Sequence, residues 1–475
     1  MLRVSWPIVY KAGIAGVALY ALSLIAYTHQ SVEPIIFACL GVAFFFLARR
    51  NMRDGLGLLL IELIVSSHGH LLSLFNGRLS LRVLWFTLAL VVYVSRTRIR
   101  VRSLRGVLKD DLLLPWVIFF LIVIYGVARG VGLGNGWNDV FLDANGYIYL
   151  LLAPLYIRHI QGQGSRRFFV SVMIGALCAL SLMVVTLFLV FSNIYLESLT
   201  WMYRWARDTR LAEITWAGSR YFRVFLPSQL WLIVGVIGSF HVYREIRDKA
   251  YLALSGIFLA TLFLSLSRSF GVGLVIGLGI YCMLVWRAGY SLMHVGLHLV
   301  RVLGVAFACI VILVFIPGNV GGIGGSALLS RITNGGEPGI QSRLAQFMPL
   351  VRASLIHPVL GSGFGSKATY ISYDPRVRAT SPDGSYTTYS FELGYLDIWL
   401  KLGLLGLIAL GMGVYQLTKG LFSIKKEGWV WVAGLGAVLA THAFSPYLNH
   451  PLGIGYIVLT LSVLHGYRLD THSEL

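Results

Sequence analysis

Residues 389–406 read YSFELGYLDIWLKLGLLG and open an apolar run that continues past residue 410. A run of this kind crosses a bilayer as a helix, which takes about 20 apolar residues. Yet Glu392 stands at its mouth, and Asp397 and Lys401 lie further in. Ionised groups in hydrocarbon are costly and normally meet a partner or a cavity. Asp397 and Lys401 are four residues apart on one helical face and read as an ion pair. Glu392 has two readings: a helix-start carboxylate favoured by the macrodipole, or a group that does chemistry.

Similar runs recur along all 475 residues, which are 57% hydrophobic and only 12% charged, with a mean hydropathy of +0.76. A soluble chain carries about twice that charged fraction. The runs do not alternate in polarity as barrel strands do. The expected fold is an all-α polytopic membrane protein, with residues 1–475 forming a single integral-membrane domain. About fourteen spans are expected, starting near residues 8, 32, 56, 82, 112, 139, 168, 224, 250, 270, 295, 390, 428 and 450. The first run, PIVYKAGIAGVALYALSLIAY, is too long for the apolar region of a signal peptide and reads as a retained span. No internal repeat is evident. Cys39, Cys178, Cys282 and Cys309 all fall in apolar runs without metal-ligand spacing and read as packing residues.

Basic residues set the orientation of such a chain. The basic loops are RRNMR (49–53), RTRIRVRSLRGVLK (96–109), GSRR (164–167), YREIRDK (243–249) and KKEG (425–428). Fourteen spans place all five on one side with both termini, the expected cytoplasmic side. The opposite, expected periplasmic side then holds two long connections, residues 193–223 and 317–388. The first carries tryptophan and tyrosine among its arginines and is expected to lie on the membrane surface. The second has a Gly-rich start, a helix expected over 340–356 and then a turn-rich stretch.

The formal charge is +19, and of 39 basic residues only eight are Lys, leaving 31 Arg. Guanidinium stays charged and offers a planar fork of donors, which suits phosphate. No soluble domain carries the charge, so nucleic acid is not an expected partner, and lipid phosphate is. The outer side collects Arg204, Arg207, Arg210, Arg220, Arg223, Arg268, Arg331, Arg343, Arg352, Arg376 and Arg378. Any one of them reads equally as tolerated loop charge. Arg268, in LSLSRSFGVGLVIGL, differs because it sits at a tight connection or just inside a span, where an arginine needs a cavity or a partner.

Four segments together resemble one family. SRSFGVGLVIGL resembles the Ser-Arg-small motif opening a span in bacterial O-antigen polymerases and O-antigen ligases. RLAQFMPLVRASLIHPVLGSGFG resembles their outer-loop helix and the His-Pro-led glycine turn that follows it. FELGYLDIWLKLGLLGLI resembles the next span, which ends in Gly-x-x-Gly. YRWARDTRLAEITWAGSRYFRVFLPSQL occupies the place of the earlier outer loop. The resemblance covers about residues 110–465. It implies an inner-membrane protein of helical, GT-C-like glycosyltransferase architecture. Such a protein transfers glycan from undecaprenyl diphosphate on the periplasmic face, without nucleotide sugar, metal or other cofactor. Arg223 matches the arginine before the span that follows the first outer loop, although Arg220 fits as well. Arg268 matches the Ser-Arg motif. Glu392 falls where the ligases have His in a His-Asn-x-x-Leu motif, counted back from Gly403 and Gly406. That departure favours the polymerase branch.

On this reading Glu392 is the general base, while Arg268 and Arg223 hold the diphosphate with Arg220 and Arg343 beside them. Asp143, with Asp139, binds sugar hydroxyls or caps a helix. His357 opens a glycine turn whose backbone either approaches glycan or phosphate or is purely structural. Tyr389, with Tyr370, Tyr373 and Tyr386, stacks on sugars or anchors the interface. His68 and His70 do not share a helical face, and His442 and His450 bracket the corner HAFSPYLNH as shape determinants. The expected partners are the lipid-linked donor, a glycan or lipid acceptor, membrane lipids and a chain-length regulator. A transporter of lipid-linked glycan is the rival outside enzymes. It would want repeat symmetry and charge at midplane, whereas here charge gathers on the outer side.

Overall fold

A bilayer offers backbone N–H and C=O groups no partners, so apolar runs become helices. The computed structural model describes residues 3–75, 77–96, 110–193, 199–218, 221–315 and 338–473. Its helices are α1 (Trp6–Thr28), α2 (Glu33–Arg50), α3 (Met52–Val65), α4 (Leu81–Arg96), α5 (Leu114–Gly132) and α6 (Trp137–Ala144). A 3-10 segment, Asn145–Leu152, leads from α6 into α7 (Ala153–His159). Then come α8 (Gly162–Asn193), α9 (Thr200–Asp208), α10 (Leu230–Ile246), α11 (Lys249–Phe263), α12 (Arg268–Arg287) and α13 (Leu292–Phe315). The chain continues with α14 (Pro338–Ser354), α15 (Pro375–Thr380), α16 (Gly394–Ser423), α17 (Lys425–His442) and α18 (Pro451–Ser473). Prolines at the first turns of α1, α2 and α5 cost no helical bond, because those N–H groups lack an intrahelical partner anyway. The protein is an all-α polytopic membrane protein.

Counting α6 to α7 as one interrupted run, a helical run stands at each of the fourteen expected places. Among the described residues, eight runs are long and apolar enough to cross a membrane by themselves. The others are shorter or more polar. α3 has only 14 residues and α10 only 17, but most of their residues are buried inside the protein. A helix enclosed by neighbours need not match the bilayer in length or polarity. Contacts between helix ends fall into two sets. At one end Tyr27 donates to Asp208 (2.7 Å), Asn135 Nδ2 to the Phe364 carbonyl (2.8 Å) and Ser445 to Ser269 (3.2 Å). At the other, Arg166 pairs with Asp470 (2.6 Å), Lys426 with Glu245 (3.4 Å), and the Val4 amide donates to Tyr251 (3.0 Å). Successive runs alternate between these ends.

The long connections gather at the first end, with three antiparallel hairpins. These are β1 (Ser73–Leu74) with β2 (Leu79–Ser80), β3 (Glu213–Gly218) with β4 (Tyr221–Phe225), and β5 (Ala368–Ile371) with β6 (Ser385–Thr388). The connection expected to lie flat on the membrane is therefore part helix, α9, and part hairpin. α14 begins two residues before the expected 340. The Gly-rich stretch 317–337 with Arg331, and Arg220, lie outside the described residues.

One break organises this end. Within α16, Gly403 takes φ 68° and ψ −170°, which interrupts the helix inside the bundle. The turn Gly361–Gly365 fills the gap. Its Ser362 and Gly363 amides donate to the Leu400 and Lys401 carbonyls (2.7 and 3.0 Å). The Leu404 and Leu405 amides beyond the break donate to the Pro358 and Val359 carbonyls (2.9 and 3.2 Å). Irregular backbone survives at membrane depth only when protein satisfies it in this way. A Cβ on Gly403 would lie 2.1 Å from the Val359 carbonyl oxygen, and one on Gly363 2.2 Å from the Gly130 nitrogen. Gly403→Ala and Gly363→Ala should each cost at least about 1–3 kcal/mol from backbone strain alone and lower the thermal midpoint in detergent. Gly411→Ala, whose Cβ would meet nothing within 4 Å, should leave the midpoint unchanged or raised.

Candidate functional site

Glu392 lies two residues before α16, under α14. Residues 342 and 346 are one helical turn apart and so share a face of α14. Ser342 Oγ donates to Glu392 Oε1 (2.8 Å), Gln346 Nε2 donates to Ser342 Oγ (3.0 Å), and the Glu392 amide donates to Gln346 Oε1 (2.9 Å). Arg343 Nε pairs with Glu392 Oε2 (3.1 Å) and also reaches the Phe444 carbonyl (3.0 Å). Gln346, itself buried, donates further to Tyr370 OH (3.2 Å), whose pKa burial raises. A small apolar cluster of Leu350, Ala368, Phe391 and Leu400 locks α14 onto β5 and α16. The carboxylate is therefore held from two sides, while its side chain stays 38% exposed. It can accept a proton from a molecule arriving from outside.

Arg223 and Arg268 meet around one turn. Arg223, on β4, donates from Nε to the Ser265 carbonyl (2.8 Å) and lies over the Phe225 ring at 4.8 Å. Phe225 stacks on Phe270 of α12 at 5.5 Å. Arg268 is the first residue of α12, half-buried, three positions beyond Ser265. Ser269 bonds Ser445, next to the Phe444 carbonyl that takes Arg343. The corner between α17 and α18 thus joins the Arg343–Glu392 pair to the turn shared by Arg223 and Arg268. Four of the expected residues are brought to one end of the bundle.

The others are placed differently. Asp143, expected at sugar hydroxyls, is buried. Its carboxylate pairs with Lys401 and accepts the Gly365 amide at 2.9 Å. Lys401 also pairs with Asp397 at 2.6 Å, as its spacing predicts. Asn449 donates to Asp397 and accepts from Tyr147 OH (2.6 Å). Asp143 is a strut of this buried cluster, because only there does a second carboxylate meet the lysine. The glycine turn after His357 is no phosphate cradle either. The amides of residues 361–365 donate to His357 O, Leu400 O, Lys401 O, Gly126 O and Asp143 Oδ2. His357 closes that turn with its carbonyl. Tyr389 is half-buried, its pKa raised by burial and then by the nearby carboxylates of Asp139 and Asp143.

Sequence reasoning did not single out Ser342, Gln346 or Asn449. The four-residue spacing of the first two on an expected helix was the available signal. It also left the histidines unpaired. His68 and His450 meet at 3.2 Å between ring nitrogens, across 382 residues of chain. Burial first, then Arg82 and Arg210, lowers His68 to about 4; burial, then Arg210 and Arg82, lowers His70 to about 4. Both are neutral at pH 7. Replacing Lys401 by Met strands two buried carboxylates and should destabilise by about 3–5 kcal/mol, read as a fall in thermal midpoint. Adding Asp143→Asn and Asp397→Asn should restore most of it; a Lys401→Met protein as stable as wild type would contradict the cluster's role.

Residues 253–411 match the family model described as O-antigen ligase. That stretch runs from within α11 through α12, α13 and α14 to the middle of α16, and so contains Arg268, Arg343, the glycine turn and Glu392. The search of curated proteins finds no match for the chain. The matched segment is about a third of the chain and holds three of the four residues that converge at one end of the bundle, Arg268, Arg343 and Glu392; over that stretch the chain is similar to the O-antigen ligase family.

Proposed function

We propose that the protein is a glycan polymerase that moves an oligosaccharide from undecaprenyl diphosphate to a hydroxyl of another lipid-linked repeat unit. The observation that carries this reading is Glu392, held by Ser342 and Arg343 yet open to a substrate, at the arginine-rich end of the bundle. Its oxygen accepts the acceptor's O–H proton. The acceptor oxygen bonds to the anomeric carbon as the bond from that carbon to the phosphate oxygen breaks. The diphosphate leaves with the bonding pair and needs positive charge more than a proton. Arg223 and Arg268 supply it through forked, charge-assisted hydrogen bonds. A single displacement inverts the anomeric centre, through a transition state of oxocarbenium character.

Arg343 has two tasks in this scheme, orienting Glu392 and adding charge near the leaving group. Arg220, also a candidate for the diphosphate, keeps that place by its position in the sequence. Tyr389, at the mouth of α16, is suited to stack on a sugar. The mechanism runs without a metal ion. In this reading the site faces the periplasm from a bacterial inner membrane and both termini are cytoplasmic, which the basic loops support, and a chain-length regulator is a further partner. A second reading, ligation to lipid A core, is favoured by the description of the matching family. It would use the same donor and the same arginines.

Purified Glu392→Gln protein supplied with lipid-diphosphate-linked repeat units should lose about 10²–10⁴-fold in rate while keeping the wild-type thermal midpoint. Product length on a gel reads polymerisation directly. Arg268→Lys, which keeps charge but loses the fork, should fall well below wild type as well. Wild-type elongation that persists in Glu392→Gln would remove that residue from the chemistry. Wild-type protein that is inert until lipid A core is added would be a ligase.

A further inference from the structure

The end opposite Glu392 holds a recess of about 400 Å³ with Arg244, Arg247, Lys426, Tyr290, His294 and His298 in its wall. It forms where α10 ends, where the turn between α12 and α13 passes, and where α13 and α17 begin. Three cations and one carboxylate, Glu245, line it, and Glu245 pairs with Arg244 (2.5 Å) and Lys426 (3.4 Å). Arg244 is the informative residue. Its side chain is only 7% exposed, it lies over the rings of Tyr281, Tyr290 and Trp429 at 5.0–5.9 Å, and its buried Nη1 makes no hydrogen bond. A buried guanidinium N–H without an acceptor leaves a costly donor unsatisfied. Lys426 lies over Tyr290 at 4.9 Å, and Arg247 reaches the His298 ring.

We infer that this recess binds a phosphate group, using Arg244, Arg247 and Lys426. Guanidinium forks and an ammonium around a small concavity suit phosphate oxygens better than a single carboxylate. The wall continues onto α13, where Met293, Leu297 and Val300 are exposed. Acyl chains of an anionic lipid can lie on that face while the headgroup enters the recess, as basic pockets between membrane helices allow. A soluble phosphate compound would use the same three cations without the apolar face. The site does not depend on the reading of Glu392.

The test uses the full chain in neutral detergent, with thermal midpoint as readout. Phosphatidylglycerol and inorganic pyrophosphate are the two probes, and phosphatidylcholine is the control. Phosphatidylglycerol should raise the midpoint saturably and less at high salt, with little effect from phosphatidylcholine. The double variant Arg247→Gln/Lys426→Gln alters only exposed side chains, and should need about tenfold more phosphatidylglycerol or beyond. Lys426→Gln alone serves if the double variant does not fold. Glu392→Gln should respond as wild type, which separates this recess from the outer arginines. A response to pyrophosphate at least as strong, and equally sensitive to the variants, would sustain the phosphate site with a soluble occupant. No shift with either probe, or variants that respond like wild type, would overturn the proposal.

Discussion

The broken helix at Gly403 is the constraint on which the outer end of this protein depends. A helix cannot be interrupted inside a membrane bundle unless other backbone takes up the freed carbonyls and amides. Here the turn Gly361–Gly365 does so on both sides of the break. That turn directly follows α14, so its insertion also fixes where α14 lies. Ser342, Arg343 and Gln346 thereby arrive over Glu392. Three glycines with positive φ and a fourth at the break are needed because backbone passes backbone where any Cβ would collide.

The same insertion builds the charged cluster one turn below. The Gly365 amide and Lys401 hold Asp143, while Lys401 and Asn449 hold Asp397. Two carboxylates around one ammonium are tolerable in a dry site only because neutral donors supply the remaining bonds. Asn449 is itself held by Tyr147, so the cluster ties the α6-to-α7 run, α16 and the corner before α18 into one unit. The result is a stiff floor under an open carboxylate. For the chemistry proposed at Glu392, such a division between rigid support and exposed carboxylate favours preorganisation, since little rearrangement remains.

Arginine serves different ends at the two faces. At the Glu392 end, Arg223 and Arg343 each donate to a backbone carbonyl, and Arg343 also pairs with Glu392, which orients them. At the opposite end Arg244 lines a recess, is framed by aromatic rings and keeps an unsatisfied donor. Local charge excess alone would not distinguish these uses. Their partners do.

The sequence by itself determined what local periodicity and composition can determine. Apolar runs specified helices in fourteen places, eight of them, among the described residues, long and apolar enough to cross a membrane. Basic loops divided the two ends, and the four-residue spacing of Asp397 and Lys401 made them partners. The helix near 340–356 and the need for glycine after His357 were also legible, because capping, helical rise and positive φ are properties of short segments. The tertiary structure alone decided that the glycine turn plugs a helix rather than cradles phosphate. It alone gave Asp143 to Lys401 across 258 residues, and Glu392 to Ser342 across 50. The physical reason is that a buried charge or an unpaired amide demands some partner, but its own neighbours in sequence do not say which. Packing chooses among all the groups that the bundle brings within reach.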